Sequence, residues 1–532
     1  MNDIQLIIPM SGQGNRYRKA GYTQPKPLIP VSGEPMIKRL MSNFPAHWET
    51  HFIMAENHRE TDLPGVLDAI RPNSHLSYVP VHTKGPSFAL KDYLSGLDSQ
   101  SPVLVSYCDY GMVWDPAAFE RFVRDSECDA CLVSYRGFHA HYLSETMYAY
   151  ARMDDERCVE VKEKGCFTDN RENEFASCGA YYFRTAKLLE KAIDFQIERE
   201  LELGGEYYTS LTVQALLENE PDSHVRIFEI PGFFQWGTPE DLQNFEYWEK
   251  TYRAFNKNVG KKKKATVDQI LLPMAGLGSR FKADFKPVKP FIPVIGEPMF
   301  TQAIKSLPPA QKTAVVLLEE HLDEAQNHAA GFHFVSLPET PSGQALTCEA
   351  GLEALEAQKS LIVSSCDHGI VLDTEKWNRF AEDPDCDAAI FTVNHFPGAA
   401  RTPKSYAYVV PEKSEDAFPL VSQVSVKVPV SETPINDNVL VGTFWFKEAA
   451  LMQKGIEELV QQDIRVNGEL YLDSIFSLLA DAGHKIRMIP LEGYIGWGDP
   501  DSLAESLYWY EIFCGYALDK HQRYPGAHHA RV

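Results

Sequence analysis

A glycine-bearing segment near the start of the chain has the residues needed to hold a phosphate group. It contains Gly12, Gly14 and Arg16, and Lys26 follows between two prolines. Glycines let backbone N–H groups approach an anion closely, and arginine and lysine side chains neutralise its charge. The segment therefore predicts a phosphate-binding loop with two cations at its mouth. The alternative is that the two cations lie on the surface beside a turn.

An aspartate follows a short apolar run further along the chain. Asp109 comes directly after the predicted strand Val103–Tyr107 and its following cysteine. Beside a phosphate loop, such an aspartate is placed to hold Mg²⁺, which would bridge phosphate oxygens. An aspartate that caps its own loop is the alternative. The same context recurs at Asp367, which favours the metal, whereas Asp115 and Asp373 precede helices and are predicted to be N-caps.

The whole pattern occurs twice, in the same order. Gly276, Gly278, Arg280 and Lys289 repeat the opening segment, and both openings close with Gly-Glu-Pro-Met. Further matched segments follow in both halves, down to Trp-Gly-Thr-Pro-Glu-Asp-Leu and Trp-Gly-Asp-Pro-Asp-Ser-Leu. A preserved order of this length indicates a tandem duplication of a whole domain.

The length of 532 residues agrees with two domains. We expect the first domain at residues 1–255 and the second at 268–532. Residues 256–267 contain four successive lysines, which repel one another and indicate a solvated linker. An anion-binding patch is the alternative for this lysine-rich segment.

Short apolar runs alternate with helical patterns, which predicts an α/β fold with a mostly parallel sheet covered on both faces. In the first half, the predicted strands are Leu6–Pro9, Thr50–Met54, Leu76–Pro80, Val103–Tyr107 and Ala130–Ser134. The predicted helices are Pro35–Asn43, Pro86–Leu97 and Pro239–Phe255. Ligands of such sheets bind outside the carboxyl ends of the strands, so the glycine loop and Asp109 are expected to share one crevice.

Composition limits the partners and the location. A net charge of −23 disfavours a nucleic-acid backbone as partner but allows a small anionic substrate held by a few local cations. No apolar run is long enough to cross a bilayer and no signal peptide is recognised, so a cytoplasmic protein is expected. The ten cysteines are scattered, which predicts free thiols. Zinc at Cys128 and Cys131 is disfavoured because no second pair stands at ligand spacing.

These motifs resemble those of the sugar-phosphate nucleotidyltransferases, the enzymes that make NDP-sugars. The resemblance rests on the Gly-x-Gly-x-Arg segment, the Pro-Lys-Pro-Leu segment, Asp109, the pair Glu163-Lys164 and the closing tryptophan motif. The contexts Tyr-Cys-Asp-Tyr-Gly and Pro-Lys-Pro-Leu resemble members from bacterial capsule and surface-polysaccharide gene sets. The resemblance covers nearly the whole chain, twice.

The resemblance implies two tandem Rossmann-like, GT-A-like domains and a role for each matched residue. It implies that Arg16, Lys26, Arg280 and Lys289 are catalytic and that Asp109 and Asp367 hold Mg²⁺. The implied nucleotide-binding residues are Met10, Gly12, Gly14, Gly85, Gly276, Gly278 and Gly343. The implied acceptor-binding residues are Glu163, Lys164, Glu206, Lys427 and Glu469. For Glu206 and Glu469, a role at a helix start is the alternative.

The sequence departs from the family pattern at two places. Many members carry a second metal-binding aspartate in the closing motif, where this chain has Gln235 and Gly496. Metal binding is therefore expected to rest mainly on Asp109 and Asp367, or to use Asp241 or Asp499 differently. The second copy keeps Lys427 but has Val426 in place of Glu163, so its acceptor pocket is expected to be altered or inactive.

The function expected from these features is Mg²⁺-dependent transfer of NMP from an NTP to a small phosphorylated acceptor, such as a sugar phosphate, with release of pyrophosphate. Capsule or surface-polysaccharide biosynthesis is the implied context. One alternative is a GT-A-type glycosyltransferase that uses a sugar nucleotide. Another is that one copy is a non-catalytic, nucleotide-binding regulatory module. The nucleobase, the acceptor and the oligomeric state do not follow from the sequence.

Overall fold

The computed structural model describes residues 3–144, 148–258, 266–281 and 285–515. Its contacts divide the chain into two units, Met1–Glu246 and Tyr247–Val532. The central part of the predicted lysine-rich linker, residues 259–265, lies outside the described residues. Before it, the helix predicted to end at Phe255 continues to Asn258.

The first unit consists of short helices on both sides of a mixed sheet. Its strands are β1 Gln5–Met10, β2 Pro30–Val31, β3 Glu34–Pro35, β4 Thr50–Ala55, β5 His75–Val79, β6 Val103–Ser106, β7 Tyr110–Val113, β8 Ala130–Tyr135, β9 Tyr150–Asp154, β10 Arg157–Lys162, β11 Phe175–Phe183, β12 Val225–Glu229 and β13 Gly232–Gln235. The helices up to the unit boundary are α1 Asn15–Lys19, α2 Met36–Met41, α3 Leu63–Ile70, α4 Pro86–Leu90, α5 Pro116–Asp125, α6 Ala186–Glu198, α7 Thr209–Asn219 and the start of α8 Pro239–Asn258.

The main sheet of the first unit runs in the order β12-β8-β11-β6-β1-β4-β5. The pairs β1 with β4, β1 with β6, β4 with β5 and β8 with β12 are parallel. Only β11 runs against its two neighbours in this order. The hairpin β9-β10 joins the start of β11, and β7 pairs with β13 in a separate ribbon.

The second unit repeats this plan. Its strands are β14 Val267–Pro273, β15 Pro293–Val294, β16 Glu297–Pro298, β17 Ala310–Leu318, β18 His333–Leu337, β19 Leu361–Ser364, β20 His368–Val371, β21 Ala388–Val393, β22 Ala407–Pro411, β23 Val421–Val426, β24 Asn438–Phe446, β25 Ile486–Pro490 and β26 Gly493–Gly496. Its further helices are α9 Met299–Ser306, α10 Leu322–His328, α11 Gln344–Ala350, α12 Thr374–Glu382, α13 Pro397–Arg401, α14 Ala449–Gln461, α15 Ile475–Asp481 and α16 Pro500–Tyr510.

The strand order of the second sheet, β25-β21-β24-β19-β14-β17-β18, is the first order with each strand replaced by its counterpart. The predicted α/β fold with two tandem, mostly parallel domains is therefore confirmed. The predicted strands agree with β1, β4, β5, β6 and β8 to within a residue at each end. One helix prediction was too long, because Pro86–Leu97 is broken into α4 and a 3-10 turn at Leu94–Gly96.

Side chains of the central strand pack on both faces of the first sheet. Leu6 and Ile8 belong to one buried cluster, and Ile7, between them, belongs to the other. Alternate residues of a strand point to opposite faces, so helices must cover both sides of this sheet. A buried sheet of this kind leaves its loops at the carboxyl ends of the strands free to form a site. None of the described helices has the length and apolarity needed to cross a membrane.

Candidate active site

Two adjoining clefts lie at the carboxyl ends of the central strands in the first unit. The first cleft, of 360 Å³, is lined by the loop after β1. The second cleft, of 830 Å³, is lined by residues that follow β10 and precede α7 and α8. The walls of both clefts share Arg16, Tyr107, Asp109, Glu206, Tyr208 and Gly237. A ligand in one cleft would therefore meet a ligand in the other beside Arg16 and Asp109.

Lys26 reaches the base of the first cleft. A short 3-10 helix, Lys26–Leu28, presents its side chain, and Nζ donates to Asp109 Oδ2 at 2.5 Å and to the carbonyl oxygen of Gly237 at 3.2 Å. Gly14 lies against the lysine stem: its φ is 62°, and a Cβ there would be 3.2 Å from Lys26 Cβ. Glycine accepts this left-handed conformation without strain, which explains its place in the loop.

The second unit has the same ion pair. Lys289 Nζ lies 2.6 Å from Asp367 Oδ2. Burial raises the pKa of the Asp367 carboxyl, but the charge of Lys289 and the hydrogen bond from His368 outweigh burial and hold that pKa well below its usual range. Asp367 is therefore an anion at neutral pH, with Lys289 as its fixed counter-charge.

Tyr17, in the helix after the glycine loop, links this loop to the closing tryptophan motif by hydrogen bonds. The Tyr17 hydroxyl lies 2.7 Å from the carbonyl oxygen of Trp236 and 2.9 Å from that of Thr238. Burial, followed by the nearby carboxylates, raises the pKa of Tyr17, so the hydroxyl stays protonated. It therefore holds Gly237, between these two carbonyls, over Asp109.

Asp241 is a site residue whose role the sequence leaves open. The N–H of Thr238 donates to its Oδ2 at 3.0 Å, and the N–H of Asp241 donates to Thr238 Oγ1 at 3.1 Å, which is a reciprocal cap at the start of α8. Gln235 also donates to its Oδ1. A Cβ on Gly237 would lie 3.5 Å from both Asp241 Oδ2 and Asp109 Oδ2, so the two carboxylates face the same point.

The second unit differs at this position. Asp499, which matches Thr238, caps α16 by accepting from the N–H of Ser502 at 2.9 Å. Ser502 stands where Asp241 stands in the first unit, so the carboxylate of this motif comes from a different position in the second unit. Arg280 Nη1 lies 3.8 Å from Asp499 Oδ2.

A pair of backbone hydrogen bonds joins the segment before α4 to the segment before α7, and we refer to it as the Gly85 clamp. The N–H of Tyr207 donates to the carbonyl oxygen of Lys84 at 2.8 Å, and the N–H of Ser87 donates to that of Tyr207 at 3.1 Å. Gly85 has a φ of 87°, and a Cβ there would lie 2.7 Å from the backbone nitrogen of Tyr207. The same clamp occurs in the second unit between Gly343 and Leu470.

Replacing Gly85 by alanine is expected to destabilise the first unit by roughly 1–3 kcal/mol, because the backbone strains and the clamp must open. The measurement is urea unfolding followed by tryptophan fluorescence. Gly65→Ala is the matched control, since a Cβ at this exposed position of α3 meets nothing within 4 Å. Equal midpoints for the two variants would contradict a steric role for Gly85.

The second cleft brings together a carboxylate and a lysine. Glu163 Oε2 accepts from Ser210 Oγ at 2.5 Å, and burial raises the pKa of Glu163. Lys164, at a φ of 51°, donates from Nζ to the Tyr208 hydroxyl at 2.7 Å. Glu206 lies in the walls of both clefts, and α7 starts at Thr209 without a side-chain cap, so the alternative role for Glu206 at a helix start is wrong.

The second unit has a carboxylate at a different sequence position from that of Glu163. Lys427 has a φ of 61°, close to that of Lys164, and Val426 replaces Glu163. Asp473, however, stands where the first unit has Ser210. Burial raises the pKa of Asp473 to about 6, partly offset by Lys427. Its Oδ1 is buried and has no hydrogen-bond partner among the described residues.

Sequence reasoning missed Asp473, although the signal was present. Tyr208 and Tyr471 are matched in the two copies, and Ser210 and Asp473 both lie two positions further on. A comparison limited to Glu163 and Val426 shows a lost carboxylate, whereas in the folded chain the Asp473 carboxylate interacts electrostatically with Lys427. Burial also lowers the pKa of Lys427, with Arg280 adding to the effect and Asp473 opposing it.

The remaining predicted residues are placed as follows. The first cleft includes Met10, Gly12, Gly14, Arg16, Lys26, Gly85, Asp109 and Glu206. Asp115 and Asp373 accept from the first N–H groups of α5 and α12, so their prediction as N-caps is confirmed. The Asp109 side chain bonds Lys26, and the loop-capping alternative finds no support in its contacts. The described cysteines are free thiols, as predicted.

Solved structures of known proteins are similar to part of this chain. Among solved structures, the nucleoside-diphosphate-sugar pyrophosphorylase from Vibrio cholerae RC9 is similar over 46% of this chain and 99% of its own, at 18% identity and a TM-score of 0.38. The inositol-1-phosphate CTP transferase from T. maritima is similar over 46% and 97%, at 13% identity and a TM-score of 0.36. No curated protein matches the chain.

A family assignment comes from the sequence itself. Residues 6–164 and 270–420 each match the MobA-like NTP transferase domain, and together these stretches cover more than half of the chain. Each stretch contains a glycine loop and a lysine–aspartate ion pair, Lys26 with Asp109 in the first and Lys289 with Asp367 in the second. The chain therefore belongs to the family of MobA-like NTP transferase domains and is a nucleotidyltransferase with two such domains.

Proposed function

We propose that the protein transfers NMP from an NTP to a small phosphorylated acceptor, preferably a sugar phosphate, and releases pyrophosphate. The observation that carries this proposal is the contact between the two clefts at Arg16 and Asp109. A cleft with a glycine loop and a lysine suits a triphosphate. A neighbouring cleft with a lysine and carboxylates suits a phosphorylated polyol, whose hydroxyls donate to carboxylates.

The chemistry that this arrangement supports is displacement at the α-phosphorus. An oxygen of the acceptor phosphate forms a new bond to the α-phosphorus of the NTP, and the bond from that phosphorus to the bridging oxygen of pyrophosphate breaks. Both substrates are anions, so the protein has mainly to bring them together and to neutralise their charge. Arg16 and Lys26 do so at the nucleotide side, and Lys164 does so at the acceptor phosphate.

A divalent cation, for which we propose Mg²⁺, fits the residues present. Asp109 and Asp241 direct carboxylate oxygens toward the same point above Gly237, and Mg²⁺ prefers oxygen ligands. Asp109, with Asp241 beside it, would hold the ion in the first unit, and Asp367 would hold it in the second. When bound, it would supply positive charge to the phosphate oxygens. Gln235 keeps Asp241 oriented toward this point.

A sugar phosphate or inositol phosphate as acceptor is supported by the pairing of Glu163 with Lys164, and by the names of the similar solved structures. A role in capsule or surface-polysaccharide biosynthesis belongs to the same proposal and rests on the sequence resemblance. Both units are proposed to be active, because the second keeps Lys289, Asp367 and Lys427 and supplies Asp473.

The experiment is pyrophosphate release by the full chain across a panel of NTPs and phosphorylated acceptors, with Mg²⁺ and with excess chelator. We expect release that needs both substrates and stops when the chelator is added. Release from an NTP with no acceptor, or none with any pair, would contradict the proposal. Turnover of an NDP-sugar without pyrophosphate would favour the glycosyltransferase, and nucleotide binding without turnover would favour a regulatory module.

A further inference from the structure

Three side chains with metal-binding atoms meet at the edge of the first sheet, away from both clefts. Glu49 precedes β4, His51 is its second residue, and His75 begins the neighbouring strand β5. His51 and His75 are paired in the parallel register, so their side chains share one face of the sheet. Glu49, two residues before His51, shares that face as well.

The three ligand atoms lie close enough for one ion. His75 Nε2 is 2.7 Å from Glu49 Oε1, His51 Nε2 is 3.9 Å from the same oxygen, and all three atoms lie within 4.8 Å of one another. Tetrahedral zinc with bonds of 2.0–2.1 Å needs ligand atoms about 3.3 Å apart. Small side-chain adjustments would bring the set to that spacing.

Neighbouring groups orient two of the ligands. His51 Nδ1 lies 2.7 Å from the Tyr93 hydroxyl, and Gln5 Nε2 donates to Glu49 Oε2 at 3.1 Å, which leaves Oε1 toward the histidines. His51 is 2% exposed, and its Nε2 is buried with no hydrogen-bond partner among the described residues.

We propose that Glu49, His51 and His75 form a Zn²⁺ site that ties the edge strand β5 to β4. Two imidazole nitrogens and one carboxylate are ligands that zinc accepts, with the remaining position open to water. The site lies near the amino ends of β4 and β5, whereas the glycine loop and Asp109 lie at the carboxyl ends of their strands. Its metal would therefore stabilise the sheet without taking part in nucleotidyl transfer.

The second unit provides an internal comparison. In its matching register, Ala314 pairs with His333, and Lys312 stands two residues before Ala314. Only one of the three ligands is kept, and a lysine replaces the carboxylate. The proposed site therefore belongs to the first unit alone.

The test uses the full chain, loaded with Zn²⁺ in the presence of excess Mg²⁺, dialysed, and analysed for bound zinc. His75→Ala and Glu49→Gln change exposed side chains, and we expect each to retain one zinc fewer per chain than the unaltered protein. His333→Ala is the matched control and should retain as much as the unaltered protein. The difference between variants is the measurement, because the sequence has further histidines near its C-terminus, such as His528 and His529.

Thermal unfolding supplies a second measurement. Zn²⁺ should raise the unfolding temperature of the unaltered protein by a few degrees, because it binds only the folded site, and this shift should be absent in His75→Ala. Circular dichroism checks that the variants are folded. Equal zinc retention by the unaltered protein and both site variants, or no retention at micromolar Zn²⁺, would overturn the proposal.

Discussion

Replacing both Lys26 and Lys289 by alanine is expected to lower kcat/KM for pyrophosphate release by about 10²–10³-fold, the usual cost of removing one preorganised charge from a transition state. Each lysine is held by its aspartate at 2.5–2.6 Å, at the base of the crevice that the glycine loop forms. Little reorganisation is then needed when negative charge develops on the phosphates. The measurement is steady-state release with a coupled pyrophosphate assay.

The single variants report each unit separately. Lys26→Ala leaves only the second unit intact, and Lys289→Ala leaves only the first, so activity that survives in either variant belongs to the unaltered unit. Lys38→Ala is the control, because this exposed lysine pairs with Glu34 one helical turn away and lies in neither cleft. An unchanged kcat/KM in the double variant would show that the lysines do not act on the reaction.

In a chain that already carries Lys26→Ala, Asp473→Asn is expected to raise KM for the acceptor by roughly 10–100-fold, the usual loss when a charged hydrogen-bond acceptor is removed. The carboxylate has a buried oxygen without a hydrogen-bond partner in the described part of the chain, and it interacts with Lys427, so we expect an acceptor hydroxyl to bind there. Since the reacting phosphate is held elsewhere, kcat is expected to change less than KM.

Asp481→Asn is the matched control, because this exposed aspartate ends α15 away from the pocket. The reciprocal test is Glu163→Gln in a chain with Lys289→Ala, which should raise the acceptor KM of the first unit. If Asp473→Asn leaves the acceptor KM unchanged, the carboxylate has no part in acceptor binding. If the Lys26→Ala chain shows no turnover at all, the second unit is inactive and the role of Asp473 fails with it.

The sequence was sufficient for the fold because each signal is local and occurs twice. The apolar runs of β1 and β6 predict buried strands, and the glycine loop and Asp109 that follow these strands predict one crevice. The length of the helix that begins at Pro86 was overestimated, because an apolar pattern does not show where an α-helix gives way to 3-10 geometry.

Residues brought together by packing could not be predicted in the same way. Asp473 lies in the 3-10 turn Leu472–Ser474 before α15, and its proposed equivalence to Glu163 rests on its interaction with Lys427 in the fold rather than on alignment. The sequence leaves the role of Asp241 open, and the fold shows that it caps α8 and lies near Asp109. His51 and His75 are 24 positions apart in sequence and become neighbours only through the register of two parallel strands.

The ion pair between Lys26 and Asp109 has a consequence for how substrate enters. Without substrate, Lys26 and Asp109 neutralise each other. Neither charge is therefore left uncompensated in a partly buried site. A bare triphosphate that drew Lys26 away would leave Asp109 facing further negative charge. Under the proposed function, we therefore expect Lys26 and Asp109 to exchange partners together, which would admit a triphosphate accompanied by its own cation and discriminate against one that arrives alone.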